Sequence, residues 1–140
     1  MKKDILLNEL QQFASEVGKT FTKYPITVKM TNIPQTKTYE VTMRSSWYYI
    51  TYPNGKKPNL LKYEILINNK YYNDYKINAD ELKQGILHEL AHAKITQDDF
   101  NKYGINTFTK RKIYHNKTFN RTAKELGADN AHQKQYWKGI

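Results

Sequence analysis

The sequence predicts an α+β fold in which one domain spans residues 1–140. Apolar residues recur every three or four positions in an N-terminal segment and again between residues 78 and 97, which is the period of an amphipathic helix. Between these segments, apolar and polar residues alternate with the period of half-buried strands. Neither a linker nor an internal repeat divides the chain, and its length suits a single hydrophobic core. We therefore expect an N-terminal helix, a small sheet, a long helix and a shorter helix after it.

The first helix is predicted over residues 3–20, with Gly18 as a suitable stop. Its apolar positions are Ile5, Leu6, Leu10, Phe13, Ala14 and Val17. The segment superficially resembles a signal peptide, but polar residues such as Asp4, Asn8 and Glu9 interrupt its apolar run, and no small-residue cleavage site follows. The expected element is therefore an amphipathic helix of a cytoplasmic protein.

Four strands are predicted after this helix, over residues 26–30, 39–44, 47–52 and 60–67. The third strand ends at a Pro53-Asn54-Gly55 turn, and Asn68-Asn69 closes the fourth. The connections are too short for crossover helices, which parallel neighbours require. The sequence therefore predicts a small, mostly antiparallel sheet of about four strands.

Two further helices are predicted. The first covers residues 78–97, where Asn78 and Glu81 have the spacing of a capping box. Residues 98–112 are predicted as a polar connection. A last helix over residues 116–126 is expected to place Phe119, Ala123 and Leu126 inward, and Gly127 is expected to cap its C-terminus.

Composition limits the classes of function. The chain has no cysteine, which excludes disulfides, thiol catalysis and cysteine-ligated zinc, so any metal site must use His, Asp or Glu. No apolar run approaches the roughly 20 residues of a membrane span. The net charge is +10, from 23 basic and 13 acidic residues. Such a charge indicates either contact with the phosphate backbone of nucleic acid or a solvated surface, and it does not distinguish between them.

The segment LHELAHAKI carries the strongest signal for chemistry. His88 and His92 are one helical turn apart, so both imidazoles lie on the same face of the predicted helix and can bind one zinc ion. Glu89 lies about 100° around the helix, where its carboxylate can act as a general base for water. This is the HExxH arrangement of metal-assisted peptide hydrolysis. An exposed pair of histidines is the less favoured interpretation, because both lie in an apolar segment where uncoordinated imidazoles are costly to bury.

A catalytic zinc of this kind needs a third protein ligand. Asp98 follows His92 by six residues, but the glycine that such a ligand needs is absent, since Ile95 occupies that position. His132 lies in the C-terminal segment without a fixed setting, and surface exposure is the better expectation for it. The spacing of residues leaves His115 and Glu125 as open alternatives.

The chain resembles the SprT-like zinc metallopeptidases, the family that includes the DNA–protein crosslink protease Spartan. The matching segments are GILHELAHA at residues 85–93, HNKTF at residues 115–119 and AKELGA at residues 123–128. The resemblance implies a minimal zincin-like fold and a Zn²⁺ ion held by His88, His92 and His115, with Glu89 as the general base. Many members carry a cysteine zinc ribbon after the protease domain, which a cysteine-free chain cannot form.

The favoured function is therefore a zinc-dependent endopeptidase acting on proteins, with DNA-associated proteins as one candidate class. The sheet edge at residues 65–68 is expected to align an extended substrate by strand addition. The alternative is a basic nucleic-acid-binding protein with a structural or vestigial metal site. In that alternative, tyrosines and lysines between residues 70 and 76 stack on bases and contact phosphates; they are Lys70, Tyr71, Tyr72, Tyr75 and Lys76. A lesser alternative is a metallopeptidase of another HExxH class that uses Glu125.

Overall fold

The computed structural model describes residues 3–31, 41–52, 55–68, 79–103 and 117–129. Within these ranges the elements are α1 (Lys3–Gly18), β1 (Ile26–Thr31), β2 (Val41–Tyr52), β3 (Gly55–Asn68), α2 (Ala79–Tyr103) and α3 (Lys117–Glu125). The α+β composition predicted from the sequence is confirmed. None of the helices in these ranges is both long and apolar enough to cross a bilayer.

The sheet differs from the prediction in strand number and direction. Its order is β1–β3–β2, with β1 parallel to β3 and β2 antiparallel to β3. The prediction of about four mostly antiparallel strands is therefore wrong for the described residues. The second and third predicted strands form one strand of 12 residues, with an irregularity in register between Ser46 and Trp47. This irregularity interrupts the alternation and explains why the sequence pattern divides the strand in two.

The parallel pairing follows from the path of the chain. Consecutive parallel strands need a long crossover, but β1 and β3 are not consecutive, because β2 carries the chain back between them. β2 and β3 then form a hairpin that is paired as far as Tyr52 and Gly55. The prediction failed because it took neighbours in the sequence to be neighbours in the sheet.

The central position of β3 also overturns the predicted substrate edge. Ile65 pairs with Val28 of β1 on one side and with Met43 of β2 on the other. The neighbouring positions of β3, up to Ile67, are likewise paired on both sides. Residues 65–67 therefore do not form an edge to which an extended peptide can add, contrary to the prediction for residues 65–68.

The main core lies between one face of the sheet and the helices α1 and α2. Alternate residues of β1 and β3 supply the sheet side, as the period of two predicts. The buried residues of this core are Leu6, Leu10, Ala14, Ile26, Val28, Tyr63, Ile65, Ile67, Leu82, Ile86, Leu90 and Ala93. Complete burial of one such aliphatic side chain contributes about 1.5–3 kcal/mol to the free energy of unfolding. The apolar stripe predicted for the first helix is thus confirmed at Leu6, Leu10 and Ala14 but is wrong at Ile5, which is 58% exposed.

Helix α1 closes part of the outer edge of β1. The side-chain amide of Gln11 accepts a hydrogen bond from Val28 N at 2.8 Å and donates one to Ile26 O, also at 2.8 Å. These backbone groups belong to alternate residues of an edge strand, where unpaired N–H and C=O groups invite pairing with another chain. Gln11 therefore replaces the hydrogen bonds of a neighbouring strand at this point.

Helix α2 continues six residues beyond its predicted end at residue 97 and includes part of the predicted polar connection. Gln97, where the prediction ended the helix, is buried and makes polar contacts. Gln97 Oε1 accepts hydrogen bonds from Thr22 Oγ1 at 2.7 Å and from Tyr63 OH at 3.0 Å, and Gln97 Nε2 donates to Asn101 Oδ1 at 2.9 Å. The residue at the predicted end of the helix is thus held by hydrogen bonds to the α1–β1 connection and to β3. The predicted cap Asn78 lies outside the described residues.

Helix α3 ends as predicted. Gly127 has a φ of 103°, which favours glycine, and its N–H donates to Lys124 O at 2.9 Å. Ala128 N donates to Ala123 O at 2.9 Å. These two bonds form a Schellman motif, which fixes the C-terminus of the helix that packs on α2.

Candidate metal centre

The two histidines of the HExxH segment lie in the middle of α2 and share one face of it. Their side chains are buried, with His88 1% exposed and His92 5% exposed. The ring centroids are 5.3 Å apart, and the ring planes are inclined by 73°. The structure therefore brings the two predicted metal ligands together at the expected helical spacing.

This separation can be compared with the requirements of zinc. Two imidazole nitrogens at about 2.1 Å from a tetrahedral zinc place the two ring centres about 5 Å apart. The observed 5.3 Å between the centroids is close to that value. Neutral imidazole nitrogen is also a ligand that zinc prefers. The donor type and the spacing of His88 and His92 therefore both fit a zinc ion.

The imidazoles are buried next to an aromatic ring. All four ring nitrogens are shielded from solvent. The Phe119 ring centroid is 4.9 Å from that of His88 and 4.5 Å from that of His92. Burial of imidazoles costs free energy through desolvation, and coordination of a cation would offset this cost.

Phe119 belongs to a second apolar cluster that is separate from the main core. Its buried members are Ala91 and Ile95 of α2 and Phe119 and Ala123 of α3. The two alanines are small enough to let the helices approach closely, and Phe119 is the one large aromatic ring among the four. The packing of α3 on α2 therefore occurs next to the histidine pair.

Glu89 is buried beside the pair, with 2% of its surface exposed. Burial raises the pKa of its carboxyl group well above the usual range of glutamate, because the charged form loses its hydration. A divalent cation nearby would act in the opposite direction by stabilising the carboxylate. The protonation of Glu89 would therefore differ between the metal-free and the metal-bound protein.

The candidates for a third ligand differ in their positions. Asp98 is exposed, and its carboxylate pairs with Lys94 Nζ at 3.0 Å. Glu125 is also exposed, and it lies about 120° around α3 from the buried Phe119. A ligand that joins two buried imidazoles is itself expected to be buried, so neither carboxylate fits. His115 and His132 lie outside the described residues.

No group of three His, Asp or Glu side chains suited to a metal is present within the described ranges. This result does not include the predicted set, because His115 falls between α2 and α3 in a part of the chain that is not described. The two imidazoles and Glu89 are therefore the part of the predicted site whose geometry is known.

Sequence reasoning identified Phe119 only as an inward-facing residue of the last helix. Its contact with both imidazoles was not predicted. The available signal was its position four residues after His115, the candidate third ligand. Thr96 was also missed; it is buried, and its hydroxyl donates to His92 O at 3.0 Å, one turn back along α2. Its position one helical turn after His92 was the feature of the sequence that could have indicated this contact.

Comparisons of the chain with models of protein families, with curated proteins and with solved structures gave no match. The functional interpretation therefore depends on the residues of the site themselves.

Proposed function

We propose that this protein is a zinc-dependent endopeptidase of the minimal zincin-like, SprT-like type. The observation that carries the proposal is the buried HExxH segment of α2, in which the ring centroids of His88 and His92 lie 5.3 Å apart and Glu89 is buried beside them. The burial of these side chains resembles the low-dielectric setting in which charge stabilisation is most effective.

His115 is the proposed third zinc ligand. It precedes Phe119 by four residues, and four residues span at most about 14 Å. Since Phe119 contacts both imidazoles, the chain length between the two positions is compatible with binding of the same metal ion by His115. The exposure of Glu125 argues against the alternative ligand.

The proposed chemistry is hydrolysis of a peptide bond. When bound, zinc supplies Lewis acidity and lowers the pKa of a water molecule to about 7. Glu89 accepts the proton of the attacking water and donates it to the leaving amine, which is general acid–base catalysis by one carboxylate. The apolar groups around the imidazoles limit the access of bulk water to these charges. Substrates are proteins, and DNA-associated proteins remain a candidate class.

A hydrolysis assay on an unfolded protein substrate tests the reaction. Wild-type protein loaded with one equivalent of zinc is expected to cleave the substrate and to lose activity when a chelator removes the metal. Glu89→Gln is expected to retain zinc and to lose at least about 100-fold in kcat/KM, since general base catalysis typically contributes 10²–10⁴. A Glu89→Gln variant as active as wild type would disprove the proposed mechanism.

Zinc stoichiometry in a pair of variants tests the third ligand. His115→Ala is expected to bind zinc much more weakly than wild type, whereas Glu125→Ala is expected to bind it normally. The reverse pattern would assign the ligand to Glu125 and place the protein in another HExxH class.

The exposed face of α3 supports a second candidate function, which is nucleic-acid binding with a structural or vestigial metal site. Lys117, Arg121 and Lys124 are exposed and lie within about 60° of one another around the helix. In the described part of the chain, no ion pair involves these three side chains. In contrast, carboxylates pair with Lys29, Lys62, Lys83 and Lys94. The basic face of α3, defined by Lys117, Arg121 and Lys124, is thus a place where phosphates could bind.

The tyrosines and lysines at residues 70–76, which the sequence suggested for this role, lie outside the described residues.

The salt dependence of binding to a fluorescent single-stranded oligonucleotide tests this second candidate. Each phosphate contact contributes about 0.7 to the slope of log K against log salt. The Lys117→Gln/Arg121→Gln/Lys124→Gln variant is therefore expected to lower the slope by about 2. Lys19→Gln/Lys23→Gln, in the α1–β1 connection, is the control for loss of charge. Equal slopes for wild type and the triple variant would identify the basic face as a solvated surface.

A further inference from the structure

Phe119 touches both proposed zinc ligands. Its ring centroid lies 4.9 Å from that of His88 at an interplanar angle of 64°, and 4.5 Å from that of His92 at 33°. The two contacts differ in geometry, with one ring close to edge-on and the other tilted toward stacking. One rigid ring thus limits the rotation of two imidazoles at the same time.

Phe119 is also fixed in its own position. Its side chain is 0% exposed, and it packs with Ala91, Ile95 and Ala123 in the second apolar cluster. Helix α3 is closed at its C-terminus by the Schellman motif at Gly127. The ring is therefore held by two helices, and its hold on the imidazoles does not depend on a flexible segment.

We propose that Phe119 is a positioning residue that orients both His88 and His92 for metal binding. This inference rests on the proposed zinc site. Ligands that are already oriented lose less conformational freedom when a metal binds, so the metal is held more tightly. Outer groups that orient metal ligands through hydrogen bonds typically change affinity by 10–100-fold, and a ring contact is expected to act at the lower end of this range. We therefore expect the loss of the Phe119 ring to weaken zinc binding by about 10-fold.

Substitutions that differ in the ring provide the test. Phe119→Leu removes the flat ring and keeps an apolar side chain, and Phe119→Met serves the same purpose if the leucine variant does not fold. Leu10→Ala is the control for lost packing, because Leu10 is fully buried in α1 as part of the main core and not of the second cluster. Zinc dissociation constants come from competition with a chelator, and visible spectra of the cobalt-loaded proteins report the ligand geometry.

Phe119→Leu is expected to bind zinc about 10-fold more weakly and to shift the cobalt spectrum. Leu10→Ala is expected to lose stability and to keep the affinity and spectrum of wild type. At saturating zinc, Phe119→Leu is expected to lower kcat and leave KM unchanged, since the ring contacts the ligands and not the substrate. If Phe119→Leu retains the zinc affinity and the cobalt spectrum of wild type, Phe119 contributes only to packing and the proposal is wrong.

Nuclear magnetic resonance of the metal-free protein separates this inference from the zinc proposal. In wild type, each of His88 and His92 is expected to show one set of sharp ring signals that is displaced by the ring current of Phe119. In Phe119→Leu, these signals are expected to move and to broaden through exchange between ring orientations. Histidine ring signals that stay as sharp in Phe119→Leu as in wild type, and that move only through loss of the ring current, would overturn the positioning role. Failure of wild type to bind zinc would overturn the proposed function instead.

Discussion

Replacement of Glu89 by glutamine is expected to change how the stability of the metal-free protein depends on pH. Glu89 is 2% exposed, and burial raises the pKa of its carboxyl group. In the unfolded chain a glutamate has a pKa of about 4.3. Between that pH and the raised value in the fold, the folded protein binds one proton that the unfolded chain has released.

The sign and size of the effect follow from this proton. Because the folded state binds more protons, the free energy of unfolding decreases as pH rises, by at most about 1.4 kcal/mol per pH unit. Protonated Glu89 gives the folded protein its full extra stability at pH values below the pKa of the unfolded chain. This extra stability is lost as the pH rises through the raised pKa of the folded protein. A glutamine side chain does not titrate, so the Glu89→Gln variant is expected to lack this slope.

Urea unfolding followed by circular dichroism, from pH 4.5 to pH 8 in the presence of a chelator, measures the difference. The difference in stability between wild type and Glu89→Gln removes the contributions of titrating groups that do not interact with Glu89. Glu125→Gln, at an exposed position of α3, is the control and is expected to follow the wild-type curve. Parallel curves for wild type and Glu89→Gln would refute the account of Glu89 as a desolvated carboxylate.

Three other predictions concern the fold. Gly18→Ala is expected to cost about 1–3 kcal/mol of stability, because the new Cβ meets Ile26 Cδ1. The second substitution Ile26→Val removes that atom, so thermal unfolding of the double variant should show partial recovery of the stability. Gln97→Met leaves the buried hydroxyl of Tyr63 without its acceptor and is expected to lower the free energy of unfolding by about 1–3 kcal/mol. A double-mutant cycle with Tyr63→Phe should show that the losses of the two single variants are not additive. Burial raises the pKa of Tyr63, with smaller effects from neighbouring acidic groups. Above about pH 10 the unfolded chain releases the phenol proton, but the folded protein retains it, so the free energy of unfolding decreases in wild type as pH rises. Urea unfolding at alkaline pH should show a smaller loss in Tyr63→Phe, and an equal loss in both proteins would contradict this assignment.

The sequence predicted what depends on local patterns. Helical spacing identified the core positions of α1, and Gly127 marked the end of α3, because these features are set by residues close together in the chain. The pairing of His88 and His92 on one face of α2 was predicted for the same reason. Each of these features needs only the geometry of a single helix.

Features that depend on distant contacts were not predicted. A period of two shows which residues share a face of a strand, but it does not show which strands are neighbours, and so the central position of β3 was missed. The predicted helix ended at Gln97, but the helix continues, and this buried side chain accepts hydrogen bonds from the distant residues Thr22 and Tyr63. The contact of Phe119 with the imidazoles likewise depends on the packing of α3 on α2.

Native mass spectrometry of the purified protein after a single zinc addition and desalting tests the central claim most directly. The account predicts one zinc ion per wild-type chain and its loss in both His88→Ala and His92→Ala. Wild-type protein that retains no zinc, or histidine variants that retain as much as wild type, would contradict the proposal that these two imidazoles form a metal centre.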